Sequence, residues 1–208
     1  MLEHVDLPLI LAAGLIGVAS PGPSTLAIAG TSMDYGRRRG LALATGITCG
    51  SLTWSISAAL GLGTVMLANA WVFEVLRWAG AVYLAWLAVR SARAALRPGL
   101  VATRAVRARS TAQTVLQGFA LHVTNPKAIL FFGALYSLGV PADATASELA
   151  VVVAAVGLQS ALVVHGYALL FSNRVATAAY LRLRRWFEGA FAIAFGAASF
   201  AVLTAKLR

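Results

Sequence analysis

The chain has 208 residues, 60% of them hydrophobic and only 12% charged, with a formal net charge of +10. Soluble domains carry about 25% charged residues, so this composition excludes an ordinary soluble domain and indicates a polytopic membrane protein with little soluble mass. The positive charge does not indicate a nucleic-acid partner: the arginines cluster beside apolar blocks, as the positive-inside rule expects, and no basic run is interleaved with base-stacking aromatics.

The apolar residues fall into six blocks, near 8–34, 41–67, 71–92, 112–138, 147–172 and 186–205. Each has the roughly 20 residues that a spanning helix needs. The opening Met1-Leu2-Glu3-His4-Val5-Asp6 is acidic and is not expected to be a cleaved signal peptide. Span one begins after Leu7-Pro8, where proline suits a first helical turn, is interrupted by Ser20-Pro21-Gly22-Pro23-Ser24, and ends at Asp34-Tyr35-Gly36. Gly36 and Gly40 bracket Arg37-Arg38-Arg39, which reads as a tight basic turn. Span two carries Gly46-x-x-x-Gly50, a pattern that fits close helix packing, and ends near Asn69. It holds the single cysteine, Cys49, which forms no intramolecular pair and reads as a small apolar packer.

Span three ends at Arg90 and Arg93. Residues 94–111 form a basic connection with Arg97, Arg104, Arg107 and Arg109, broken by Pro98-Gly99, and read as the hinge between a first half, 1–93, and a second, 112–208. Span four is interrupted by Asn125-Pro126-Lys127 and ends near Gly139-Val140-Pro141. A short acidic linker, Ala142 to Glu148, leads to span five, which ends at Ser172-Asn173. The basic stretch Arg174 to Arg185 reads as a short amphipathic helix on the membrane surface, ahead of a sixth span that closes with Lys206-Leu207-Arg208.

The connections after spans one, three and five hold the arginines, whereas those after spans two and four hold none. The basic side is therefore expected to face the cytoplasm and both termini to face outward. With three helices per half, the second half is upside down relative to the first. The expected fold is an all-α membrane protein of six transmembrane helices in an inverted 3+3 repeat.

Helices one and four are expected to be broken near the midplane. A proline inside a helix removes one backbone hydrogen bond and clashes with the preceding turn, and in lipid no water repairs the loss. Both breaks lie about halfway along their spans, at 1.5 Å per residue. Matching breaks in two repeats point to a transporter's substrate site.

Ser20, Pro21, Gly22, Pro23 and Ser24 from one break, and Asn125, Pro126 and Lys127 from the other, are the candidate substrate-binding residues. An ammonium near the membrane centre costs several kcal/mol. The stem of Lys127 is too short to reach the interface from mid-span, so a cavity or partner is expected. Asn125 has an amide to satisfy freed carbonyls or to bond substrate. Asp34 reads as a partner for Arg37 or Arg38, or as a gate. His122 and His165 are candidate proton carriers, since imidazole titrates near neutrality. Glu188 reads as an interfacial ion pair with Arg184 and Arg185.

These residues resemble the LysE/RhtB-type family of bacterial amino-acid exporters. The resemblance runs through Ala19-Ser20-Pro21-Gly22-Pro23, Gly36-Arg37-Arg38-Arg39-Gly40, Gly46 and Gly50, Gly80-Ala81-Val82-Tyr83-Leu84, Gln117-Gly118-Phe119 and Asn125-Pro126-Lys127 with Leu130-Phe131-Phe132. It implies a small bacterial inner-membrane protein that exports amino acids or close derivatives, with protons as coupling ion and no cofactor. The chain departs from the family pattern at Ser51 and Trp54, where an acidic residue and a histidine are common. It departs again at Tyr136-Ser137-Leu138, where Pro-Gln-Phe is common.

Two other readings compete. An exporter of metal or inorganic ions would want clustered Cys, His, Asp or Glu, which the spans lack. An intramembrane enzyme would pair Ser20 or Ser24 with His122 or His165, yet neither serine lies in a nucleophile-elbow pattern. A homo-oligomer stays open, as do the cargo and the coupling ion.

Overall fold

A computed structural model describes residues 5–68, 70–97, 105–107, 110–141 and 143–204, without the side chains of 62–74, 76, 77, 137 and 138. Asn69, Pro98-Gly99, Arg104, Arg109, Ala142 and the closing Lys206-Leu207-Arg208 lie outside it. The described residues are helical: α1 (Leu7–Ala19), α2 (Pro23–Tyr35), α3 (Arg37–Ala68), α4 (Ala70–Leu96), α5 (Thr111–Val123), α6 (Pro126–Gly139), α7 (Ala146–Phe171) and α8 (Arg174–Thr204).

The helix ends follow from local chemistry. Asp6 caps α1 by accepting from Leu9 N at 3.0 Å, ahead of Pro8 in the first turn. Ser110 with Gln113, and Thr145 with Glu148, form capping boxes on α5 and α7. Between α2 and α3 only Gly36 breaks the helix, at φ 78°, a left-handed value that glycine adopts without strain.

Arg37-Arg38-Arg39 is therefore the first turn of α3 rather than a turn between two glycines. Likewise Arg174 to Arg185 is no separate surface helix. It is the opening of the continuous 31-residue α8, because no proline or glycine interrupts the chain before Gly189. Cys49 is exposed on α3 rather than packed inside.

Each break divides its segment almost equally. Helices α1 and α2 have 13 residues apiece and bend by 52° at Ser20-Pro21-Gly22. Helices α5 and α6 have 13 and 14 residues and part at Thr124-Asn125. Among the described residues, Arg37–Gly61, Ala146–Phe171 and Arg174–Thr204 are long and apolar enough to cross a membrane, and the bent α1–α2 pair makes a fourth span if taken as one. Pro126–Tyr136 is a shorter apolar helix.

Most packing joins the front of the chain to the back. Helix α3 runs parallel to α5, with Gly46 against Val115 and Phe119, and Gly50 against His122. Helix α1 runs parallel to α7: Gln159 Nε2 donates to Leu11 O at 2.8 Å and Tyr167 OH to Ala19 O at 2.6 Å. Helices α3 and α7 run antiparallel, pairing Thr45 with His165 and Ser51 with Ser160. Helices α4 and α8 are also antiparallel, joined by Ser199 Oγ to Ala81 O at 2.8 Å and by a Ser91–Glu188 hydrogen bond.

A Cβ at Gly46 would fall 1.9 Å from Val115 O. The Gly46-x-x-x-Gly50 face is thus used inside the molecule, where small residues let helix backbones approach.

Three apolar clusters frame the breaks. One joins Ile10, Phe131, Phe132, Leu135, Tyr136, Val152 and Val156. A second joins Ala27, Ile28, Leu43, Ile47, Val164 and Ala168. The third locks α4 to α8 through Leu84, Leu87 and Phe195. Large apolar side chains such as Leu158, Leu162, Ile193 and Phe200 stay exposed, which suits a lipid-facing surface rather than a wet one.

Candidate functional site

The two breaks meet between the first and second clusters. Ser20 ends α1 in extended geometry, Gly22 precedes α2, and Pro23 is its first residue. No side chain caps α2, so the amides of its first turn have no partner within the helix. Opposite, Asn125 caps α6: its Oδ1 accepts from Lys127 N at 3.0 Å. Asn125 thus satisfies an amide rather than the freed carbonyls anticipated from sequence, and its Nδ2 donates to Ser24 Oγ at 3.3 Å across the gap.

The Lys127 ammonium crosses the same gap. Its Nζ donates to Ser20 O at 2.7 Å and also to Ser20 Oγ. The side chain is 9% exposed, so an ion that is costly in lipid is met by the polar end of a broken helix. Its stem passes over Gly22, where a Cβ would stand 3.0 Å from Lys127 Cδ.

A polar chain extends from this contact. Ser24 Oγ lies 3.1 Å from His122 Nδ1, and Ser51 Oγ lies 3.1 Å from His122 Nε2. Ser160 Oγ donates to Ser51 Oγ at 2.9 Å. Four helices therefore contribute to one hydrogen-bonded row, Asn125–Ser24–His122–Ser51–Ser160. Hydroxyls donate and accept by rotation, so the row accommodates either imidazole tautomer. It also accommodates a doubly protonated ring, whose two N–H groups would each meet a hydroxyl oxygen.

A cavity of ≈ 40 Å³ lies along this row, walled by Gly17, Ile47, Phe131, Phe132 and Val164. A water takes about 10–15 Å³ by this measure, so the space suits roughly three waters and is closed to a whole amino acid.

The sequence-derived residues divide clearly. Gly22, Ser24, His122, Asn125 and Lys127 line the cavity, and Ser20 reaches it through Lys127. Pro21, Pro23 and Pro126 set the backbone breaks and are not among the lining residues, with Pro23 and Pro126 exposed. Asp34 is exposed at the end of α2, as are Arg37 and Arg38 at the start of α3, and it is not among the residues lining the cavity. His165 lies outside the cavity, with Nδ1 2.8 Å from Ala161 O and Nε2 3.2 Å from Thr45 Oγ1.

Sequence reasoning missed three groups. Ser51 stood only as a departure from a family pattern, and Ser160 as one serine in an apolar span; neither position shows from sequence that it abuts a histidine on another helix. Glu188 is buried rather than interfacial. It is 4% exposed, hydrogen-bonded to Ser91, and within electrostatic reach of Arg184, Lys127 and Arg90. Arg185 instead sits over the Trp186 ring, 4.9 Å from its centroid. Among the described residues no group of three or more His, Cys, Asp or Glu is placed to hold a metal ion.

A family profile described as LysE type translocator matches residues 15–206. The threonine efflux protein of Escherichia coli (strain K12) is 28% identical over 177 residues, covering 84% of this chain and 86% of that protein. The leucine efflux protein of Enterobacter sp. (strain 638) is 27% identical over 168 residues, covering 81% and 79%. The homoserine/homoserine lactone efflux protein of Salmonella typhimurium is 33% identical over 123 residues, 56% of each chain. No solved structure matches the chain.

Proposed function

Because the chain belongs to the LysE type translocator family, we propose that it is a secondary transporter exporting small amino acids or close derivatives from the cytoplasm, driven by proton entry. It is a multi-pass membrane protein and a transporter rather than an enzyme. The cargo class follows the threonine, leucine and homoserine efflux relatives.

The observation that carries the mechanism is the Lys127–Ser20 contact. An amino acid brings one carboxylate and one ammonium. The uncapped start of α2, the start of α6 and the Lys127 ammonium are all positive, and helix N-termini suit a carboxylate. The complementary acceptors for an ammonium, Ser20 O and Oγ, are held by Lys127 itself. In the resting state the lysine thus stands in for the cargo's amine. An arriving carboxylate draws Lys127 Nζ away, and Ser20 then receives the cargo's ammonium. Charge is conserved in the pocket, so neither ion is left bare in lipid.

The small cavity means that this exchange requires the halves to part. His122, between Ser24 and Ser51, is the group that takes and returns the coupling proton without leaving its hydrogen-bonded row.

The packing supports an inverted repeat of six spans, with halves 1–93 and 112–208 joined by 94–111. The parallel pairs α3–α5 and α1–α7 are counterparts under such a repeat, and the antiparallel pairs α3–α7 and α4–α8 are self-counterparts. Ala81 stands to Glu188 by nearly the same chain offset as Ser91 to Ser199. The arginine-rich connections orient the chain with both termini outside the cytoplasm, in the bacterial inner membrane.

The Ser24–His122 spacing also fits a nucleophile and its base. The other nitrogen of His122 meets Ser51 rather than an orienting carboxylate, which favours a relay over a hydrolase. Efflux from proteoliposomes loaded with threonine, homoserine or leucine tests the proposal. Export at the wild-type rate by both Lys127→Ala and Pro126→Ala would overturn the site.

A further inference from the structure

A second hollow, of ≈ 590 Å³, opens between α4 and α8 and shares no lining residue with the break cavity. Its lining includes Trp86, Val89, Arg90, Arg93, Arg97 and Arg184. Arg90, Arg93 and Arg97 follow the i, i+3, i+7 spacing of a single helix face, and Arg184 joins them from α8. Trp86 lies one turn before Arg90 along α4 and Val89 one turn before Arg93; both are exposed apolar residues, and Val82 continues the same exposed strip. The Arg90 guanidinium lies over the Trp86 ring, 5.4 Å from its centroid.

The positive-inside rule accounts for arginines on this side of the membrane. It does not require four of them to surround one concavity, where like charges repel. The carboxylate behind them, Glu188, supplies one negative charge and is already hydrogen-bonded to Ser91. An anion in the hollow would offset the remaining charge. Guanidinium groups bind phosphate oxygens in a two-pronged geometry, and basic pockets between membrane helices suit lipid headgroups. The apolar strip decides between a free anion and a tethered one: it continues from the arginines into the exposed surface of α4, where an acyl chain would lie.

We propose that the α4–α8 hollow seats the phosphate of an anionic phospholipid, with its acyl chains along Val89, Trp86 and Val82. Arg93 and Arg97 are exposed, so replacing them leaves the α4–α8 core untouched.

The test uses the full chain purified in detergent and titrated with phosphatidylglycerol, phosphatidylcholine or inorganic phosphate, with bound lipid read by native mass spectrometry. Phosphatidylglycerol is expected to bind at least tenfold more tightly than phosphatidylcholine. Arg93→Gln/Arg97→Gln should lose most of that preference, whereas Arg182→Gln, exposed on α8 and outside the hollow, should keep it. Unchanged circular dichroism and monodispersity of the double variant establish that it folds. Equal retention of the two lipids, or full preference in the double variant, would overturn the proposal. So would displacement of phosphatidylglycerol by inorganic phosphate at matched concentration, which would mark a site for a free anion.

Discussion

Lys127 on α6 and Ser20 at the end of α1 stand 107 positions apart in the chain, yet the lysine ammonium donates to the serine carbonyl at 2.7 Å. One broken helix supplies the cation and the other the acceptor. Neither would be stable in lipid without its partner, so the two interruptions are energetically a single feature. Separating them leaves a buried ammonium or a bare carbonyl, each costing several kcal/mol.

Lys127→Met keeps the length of the side chain but removes its charge. It should reduce efflux at saturating cargo by at least about tenfold, equivalent to about 1.4 kcal/mol. Lys127→Arg should be intermediate, because a planar fork replaces a compact ammonium at Ser20. Efflux of labelled threonine from loaded proteoliposomes measures both; a wild-type rate for Lys127→Met would refute the exchange mechanism.

The two span histidines should behave differently. His122→Gln retains hydrogen-bonding groups toward Ser24 and Ser51 but has no titrating ring. It should uncouple cargo exit from proton entry, read with a pH-sensitive dye inside the vesicles. His165→Gln, outside the cavity, should leave coupling intact. Equal coupling in both variants would remove His122 from the proton path.

Ser51→Ala strands one nitrogen of His122 and takes the acceptor from Ser160. An unsatisfied buried polar group costs about 1–3 kcal/mol. Because Ser160 acts on His122 only through Ser51, the double variant with Ser160→Ala should cost less than the sum of the single variants. Thermal unfolding of the four proteins in detergent closes this cycle; strict additivity would mean that the row is not cooperative.

Gly46→Ala places a methyl 1.9 Å from Val115 O, a backbone atom that moves only if α3 and α5 separate. Overpacking of this kind costs about 1–3 kcal/mol. Gly166→Ala on α7 meets nothing within 4 Å and should stabilise the helix by about 0.5–1 kcal/mol. Opposite shifts in melting temperature are expected, and a neutral Gly46→Ala would deny the close α3–α5 approach.

Particular residues show how far the sequence reaches. Pro23 and Pro126 announce their breaks because the loss of a helical hydrogen bond is a local event. The same locality explains Asn125 at a cap position. Local rules fail where a partner decides the outcome. Arg37-Arg38-Arg39 reads as a turn, yet packing draws it into α3, with Arg39 Nη1 donating to Thr114 Oγ1 at 3.1 Å. Glu188 reads as interfacial because arginines precede it, but the α4–α8 crossing turns it onto Ser91.

The sequence by itself determined the apolar segments, their two interruptions and the uneven placement of arginines among the connections, since hydropathy, proline stereochemistry and arginine placement each act within a few residues. Tertiary structure alone decided that Ser20 receives Lys127, that Ser51 and Ser160 extend the histidine row, and that four arginines gather around one hollow. Those outcomes depend on which helix faces meet, and helix packing in a bilayer turns on shape and hydrogen bonding between distant segments rather than on apolar burial alone.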